Sequence, residues 1–505
     1  MSGYKINHSL KFNETMNNNI LKPIMFVGTG SDVGKSIINT AFCRIFAQDG
    51  YSPAPYKAQN MSLNSYATPD GLEIGRAQAV QAEACGIDCS TDMNPVLLKP
   101  YGGNKSQVVL NGKPVGNVSA IDYFKNNNKE PLFVEAKAAF SRLNKLYNPI
   151  VMEGAGSISE LNLAHRDITN MRIAQYADAA VYLVADIDRG GVFASVYGSI
   201  MLLPDAQRKL IKGIIINKFR GDIKLFEEGK QIILDKTGVP VVGIVPYYND
   251  IHIEEEDSVV LDKKSTELAH DKVNVAVVKL RYMSNFTDFD ALEHNKNVNL
   301  FYAENANQLN DADVIILPGS KNTISDLLFI REKGFDQAIH NAQNKGKKII
   351  GICGGYQMMG DEIADPYGVE GDTKTVNGLG LLSVRTVLTK EKVTKQSTFT
   401  FRNYNDNCYG YEIHMGETIV SNDMQSLNLT RENKTEGCFK NKNCWGTYMH
   451  GILDNKVVID YILSDFNIEP DSFDYRKFKN EQYNKLANHV RQFVDVDKIY
   501  NDLKL

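Results

Sequence analysis

Short runs of aliphatic and β-branched residues alternate with longer stretches of helical spacing along most of the chain. IMFVG (Ile24–Gly28), PIVMEGAG from Pro149, AAVYLVADID from Ala179, KGIIINKF from Lys212 and VPVVGIVP from Val239 are apolar nearly throughout. Continuous apolar runs of this length predict strands covered on both faces, as in a parallel sheet. With helical stretches between them they predict a doubly wound α/β domain, whose ligands sit at the carboxyl ends of the strands. Residues 251–272 lapse into acidic and polar sequence. A second series then begins, with VNVAVVKL from Val273, DVIILPGS from Asp313, KKIIGICGG from Lys347 and CWGTYMHG from Cys444. The expected organisation is a flexible arm over 1–20, a first domain over 21–250, a linker over 251–272 and a second α/β domain over 273–460. A helical extension over 461–505 is expected to cap the second domain.

Composition changes this picture little. With 505 residues the chain exceeds what one hydrophobic core usually supports, in keeping with two domains. A net charge of -5, with no polybasic run, gives no footprint for nucleic acid or a membrane surface. No apolar run approaches the roughly 20 residues that span a bilayer, and the Asn- and Lys-rich start lacks an apolar signal core. The expectation is a cytoplasmic protein. Seven cysteines, an odd number without C-x-x-C pairs, suggest neither a disulfide framework nor a zinc site.

Two short segments carry chemistry. GTGSDVGKS (Gly28–Ser36) follows the first strand and precedes a helical stretch. Such a loop aims backbone N–H groups and a helix N-terminus at phosphate oxygens, which makes Thr29, Gly30, Ser31, Asp32, Val33, Gly34, Lys35 and Ser36 candidates for ATP binding. Lys35 is placed for the β/γ phosphates and Ser36 for Mg2+. Glu153, at the end of a buried strand, is the candidate metal carboxylate, with Asp32 as a second. Asn217, at another strand end, is a candidate for reading the base. Lys57 is a candidate for stabilising a transferring phosphoryl group. Asp186, Asp188 and Arg189 would hold Mg2+ or a carboxylate substrate, or form a local ion-pair network. The glycine falls one residue earlier than in the usual G-x-x-x-x-G-K-S/T spacing. This resembles the dethiobiotin synthetase group of phosphate-loop proteins. Partition ATPases carry a switch lysine where this chain has Gly30.

In the second series, GICGG from Gly351 sets a cysteine in G-x-C-x-G after an apolar strand, the sharp turn that holds a nucleophile exposed. A helix N-terminus there is expected to lower the thiol pKa of Cys353. His450 is the candidate general base. The N–H groups of Gly319 or Ser320, with that of Gly354, are candidates for an oxyanion hole.

The order of PGS, G-x-C-x-G and a late histidine resembles the class I glutamine amidotransferases. In that family the cysteine attacks the glutamine side-chain amide and ammonia is released. The chain departs at one point: the family's acid two residues after the histidine is Ile452 here. That absence resembles the cobyric/cobyrinic acid amide synthase branch, which manages with a Cys–His pair and to which Glu412 and His414 in GYEIHMG also correspond. These two are candidates for lining the pocket. Longer segments, YKAQNMSLNSYATPDGLEIGRAQAVQAEACG from Tyr56, NPVLLKP, ADIDRGGVFA, INKFRGD and SNFTDFDAL, are similar to the cobyric acid members of that family from about residue 24 to 455.

The resemblance implies a phosphate-loop synthetase domain followed by a flavodoxin-like amidotransferase domain, with ATP, Mg2+ and glutamine consumed. It implies a corrinoid acid whose b, d, e and g carboxylates are amidated through acyl phosphates. The alternatives are amidation of the a and c carboxylates, and a nucleotide-switched binding protein whose amidotransferase domain is degenerate. Gly30 and the intact Cys353 turn both count against the second.

Overall fold

The computed structural model describes residues 19–101, 105–119, 129–254, 268–469 and 471–505. Most of the expected arm and most of the expected linker lie outside the described residues. The chain divides into two compact units. One comprises Met1–Ser62, Ile74–Ile253 and Lys479–Leu505; the other comprises Leu63–Glu73 and Glu254–Phe478.

In the first unit, β1 (Ile24–Gly28), β2 (Ala54–Tyr56), β3 (Ile150–Glu153), β4 (Ala180–Asp186), β5 (Ile211–Phe219) and β6 (Val241–Pro246) form a sheet. Its order is β6-β5-β4-β1-β3-β2, parallel throughout. β1 and β4 are buried at every position, which is why their sequence is a continuous apolar run rather than an alternating one. Helix α1 (Lys35–Gln48) starts directly after the glycine-rich loop, and α2 (Arg76–Cys85) packs beside it. Because successive strands lie on opposite sides of β1, its carboxyl end opens a crevice.

In the second unit, β7 (Val273–Val278), β8 (Val298–Ala303), β9 (Val314–Leu317), β10 (Lys348–Ile352), β13 (Cys438–Asn441) and β14 (Cys444–Thr447) form a sheet of order β8-β7-β9-β10-β14-β13. Only the β13 edge runs antiparallel. Helix α3 (Thr323–Glu332) follows β9, and α4 (Gly354–Met358) follows β10. The antiparallel neighbours β11 (Val393–Phe401) and β12 (Cys408–His414) lie in a second, four-stranded sheet of the same unit. Segment Leu63–Glu73, which precedes α2 in the chain, joins this unit. Tyr66 packs on Tyr411 at 4.5 Å between ring centroids, and the Ala67 carbonyl accepts from Gln396 at 2.9 Å.

The tail departs from expectation. Helices α5 (Tyr475–Phe493) and α6 (Val496–Leu503) place Leu486, Val490, Ile499 and Leu503 in the core of the first unit with Phe42 and Phe46 of α1. Polar matching reinforces this: Arg44 Nε donates to Asn484 at 2.8 Å and Arg491 pairs with Asp49 at 2.7 Å. Helical spacing reveals that such a tail has an apolar face. It does not reveal which sheet that face covers.

Candidate active sites

At the carboxyl end of β1 the loop turns at Gly34, whose φ is +96°. A Cβ there would sit 2.1 Å from Asn217 Nδ2, so the position also needs glycine for close approach. Asn217 donates that amide to the Val33 carbonyl at 2.9 Å and so braces the loop from β5. The Thr29 N–H is tied to the Val184 carbonyl of β4 at 3.1 Å. Lys35 Nζ lies across the loop, donating to the carbonyls of Gly30 (2.8 Å) and Gly156 (3.1 Å).

Glu153 is the hub of this site. One carboxylate oxygen accepts from Ser36 Oγ at 2.8 Å and from Lys57 Nζ at 2.9 Å, and the other accepts from Gln81 Nε2 at 2.7 Å. Burial alone would raise its pKa, but Lys57, Gln81 and Ser36 outweigh it and hold the carboxyl below the usual range. The loop lysine's neighbour Ser36, the strand-end acid and Lys57 therefore converge. Gln81 on α2 was not legible as a site residue, since a lone glutamine in a helical stretch carries no pattern.

The DIDRGG segment forms an ion-pair network. Asp186 meets Lys218 at 3.0 Å and Asp188 meets Arg220 at 2.7 Å, while Arg189 reaches Asp32 at 3.5 Å. Lys218 Nζ also holds the Asp32 carbonyl at 2.5 Å. Among the described residues no cluster of three or more His, Cys, Asp or Glu side chains suits a metal ion. The Ser36 hydroxyl and the Glu153 carboxylate are hard oxygen donors side by side and fit Mg2+ shared with phosphate and water. The Asp32 side chain faces Arg189 instead.

In the second unit Cys353 sits between β10 and α4 at φ +52°, a strained conformation for a residue with a side chain and the backbone form of a nucleophile turn. Its N–H is fixed by the Thr447 carbonyl of β14 at 2.8 Å. The flanking glycines have steric reasons. A Cβ on Gly351 would meet Met359 Sδ at 2.5 Å, and one on Gly355 would meet the Leu317 carbonyl oxygen at 2.0 Å. The loop after β9 comes equally close, since a Cβ on Gly354 would lie 2.9 Å from the Ser320 nitrogen. Ser320 is held by its hydroxyl, which donates to Asp326 at 2.6 Å. Burial pushes Asp326 up to about 6 in spite of that bond.

His450, after β14, is almost wholly buried, with its ring stacked on Tyr411 at 5.3 Å between centroids. The structure also brings here a residue that was not singled out from sequence: Asp288, following β7. Its Oδ2 lies 2.7 Å from His450 Nδ1 and its Oδ1 accepts the Gly451 N–H at 2.9 Å. Burial would keep the imidazole neutral, yet Asp288 and Cys353 together raise its pKa to about 10. Ile452, at the position of the family's acid, is fully buried in the core. The segments after β7, β9, β10 and β14 thus carry Asp288, Ser320, Cys353 and His450. On β12, Glu412 pairs with Lys395 at 3.0 Å and lies 3.3 Å from His414 Nε2. The His414 ring stacks on Tyr448, and the neighbouring Ile413 carbonyl is 3.6 Å from Cys353 Sγ.

Residues 24–260 match the CobQ/CobB/MinD/ParA nucleotide binding domain, and residues 274–458 match the CobB/CobQ-like glutamine amidotransferase domain. The chain is 59% identical to the cobyric acid synthase of Parabacteroides distasonis, over 96% of this chain and 99% of the relative. It is 59% identical to that of Bacteroides fragilis (97% and 99%) and 57% identical to that of Phocaeicola vulgatus (95% and 98%). A nucleotide loop in one unit, a cysteine turn in the other and this likeness along nearly the whole length place the chain in the cobyric acid synthase family of ATP-dependent, glutamine-using amide ligases.

Proposed function

We propose that the chain amidates the b, d, e and g carboxylates of adenosylcobyrinic acid a,c-diamide in the cytoplasm, one ATP and one glutamine being consumed at each. The observation that carries this is the coexistence of the Lys35–Ser36–Glu153–Lys57 cluster and the Cys353–His450 turn in a chain so similar to cobyric acid synthases. In the second unit Cys353 Sγ attacks the glutamine side-chain carbonyl carbon. The N–H groups of Ser320 and Gly354 receive the developing oxyanion; among the described residues neither has a hydrogen-bond partner within the chain. His450 gives its proton to the departing nitrogen, and ammonia leaves. Water then attacks the thioester, with His450 accepting its proton, and glutamate is released.

In the first unit the substrate carboxylate oxygen takes the γ-phosphoryl group of ATP and ADP departs. Lys35 and Lys57 place positive charge beside the negative charge that builds on the transferring group. Ser36 and Glu153 are the residues that would hold Mg2+, which when bound neutralises phosphate charge. Ammonia displaces phosphate from the acyl phosphate and forms the amide.

The test is mass spectrometry of adenosylcobyrinic acid a,c-diamide incubated with the protein, ATP, Mg2+ and glutamine. Stepwise gain of four amides is expected. An untouched substrate, with cobyrinic acid gaining two amides instead, would show that the a and c carboxylates are the true acceptors.

A further inference from the structure

The position that supplies the orienting acid in class I amidotransferases holds Ile452, an apolar core residue, so the His450 ring needs its orientation from elsewhere. Asp288 meets it from a segment 162 residues earlier. Both of its carboxylate oxygens are engaged, one on the ring Nδ1 and one on the N–H of Gly451, the next residue. Two contacts on adjacent groups fix the ring's position and its rotation together. An Nδ1–H donated to a carboxylate leaves Nε2 as the nitrogen free to exchange a proton with Cys353.

The segment that presents Asp288 is itself clamped. Asn285 stands at φ +54°, its Oδ1 accepts from the Ser65 N–H at 3.1 Å and its Nδ2 donates to the Tyr411 hydroxyl at 3.3 Å. The Phe286 N–H donates to Asn64 Oδ1 at 3.2 Å, and the Ser284 N–H donates to the Gly319 carbonyl at 3.0 Å, beside Ser320. A side chain that only filled space would need none of this bracing. We propose that Asp288 is the positioning residue of the glutamine site, holding His450 in the tautomer and orientation that serve Cys353, so that the site works as a triad whose acid comes from after β7. This rests on reading Cys353 as the nucleophile.

The experiment uses the full-length protein with Asp288→Asn and Asp288→Glu, measuring amidation supported by glutamine and by ammonium salt separately. The pH dependence of Cys353 alkylation by iodoacetamide is followed as well. Asp288→Asn is expected to lower kcat for glutamine by about 10²- to 10⁴-fold, with KM changed only a few-fold. Ammonia-supported amidation should stay within about 2-fold, because it bypasses the cysteine. Asp288→Glu should recover at least about 10-fold of the lost glutamine activity. The titratable groups meeting the His450 ring are Asp288, Cys353 and Tyr411. Without the Asp288 charge the imidazolium is less favoured, so the alkylation profile of Asp288→Asn should move to higher pH.

The proposal fails if Asp288→Asn keeps glutamine activity within about 2-fold with an unmoved alkylation profile. It also fails if both variants lose glutamine- and ammonia-supported amidation equally, which would make Asp288 a structural residue. A Cys353→Ala protein that still used glutamine would instead overturn the reading of the site on which the proposal rests.

Discussion

Replacing Gly355 by alanine places a methyl group 2.0 Å from the Leu317 carbonyl oxygen and 2.4 Å from its carbon. Ordinary van der Waals contact begins at 3.4 Å, so α4 and the end of β9 must separate by about 1.4 Å, and the clash is with backbone that no rotamer relieves. β9 leads into the Ser320 loop, and Cys353 caps the start of α4. The shift therefore opens the space between Cys353 and the Ser320 loop. Overpacking of this kind costs about 1–3 kcal/mol of stability, and a misplacement near 1 Å costs about 10²-fold in rate. Gly355→Ala should thus lower glutamine-supported amidation by about 10²-fold or more and leave ammonia-supported amidation within about 2-fold. A Cβ on Gly198, in a helix of the first unit, meets nothing within 4 Å, so Gly198→Ala should be neutral or slightly stabilising. The assay is initial rate with each nitrogen source, together with thermal unfolding. Glutamine activity in Gly355→Ala within about 2-fold of the parent would refute the steric argument.

Three further outcomes follow from the contacts described. Glu153→Ala leaves Lys57 buried without the carboxylate 2.9 Å away, which should destabilise the first unit by about 3–5 kcal/mol and abolish amidation from either nitrogen source. Calorimetry and the ammonia-supported rate check it, and an unchanged rate would contradict it. Glu153→Gln keeps the shape and should lose the rate with a smaller fall in melting temperature. Asp326, raised to about 6 by burial, binds its proton more tightly folded than unfolded; its stabilisation is complete below about 3.8 and is lost as pH rises through about 6. That loss is about 3 kcal/mol at most, and Asp326→Asn should flatten the melting temperature between pH 4 and 7, roughly that window, as read by thermal melts across it.

Much of this was legible in residue order. Unbroken apolar runs identify the parallel strands because a strand covered on both faces cannot alternate, and the loop and turn motifs fall where strands end. Cys353 was legible because a cysteine between two glycines has few structural explanations, and both glycines prove to be demanded by neighbours at under 3 Å. Asp288 was not. It lies within SNFTDFDAL, two positions before a second aspartate, and nothing local distinguishes the one that faces His450. Only the parallel pairing of β7 with β9 and of β10 with β14 brings the two segments to one edge. Gln81 and the tail helices were hidden for the same reason: an apolar face or an amide shows that a partner exists and leaves open which one. Asn217 carries a different lesson, since a strand-end amide has two uses and here braces the phosphate loop.

The proposed function has nitrogen freed at Cys353 captured on corrinoid carboxylates activated beside Lys35 and Glu153. Its most direct test is isotope tracing with glutamine labelled by 15N at the side-chain amide, the product amides being read by mass spectrometry for the parent and for Cys353→Ala. Label is expected in all four new amides of the parent. None is expected from glutamine in Cys353→Ala, which should still form four amides when 15N-ammonium is supplied. Labelled amides from glutamine in Cys353→Ala, or a variant inactive with ammonium as well, would contradict it.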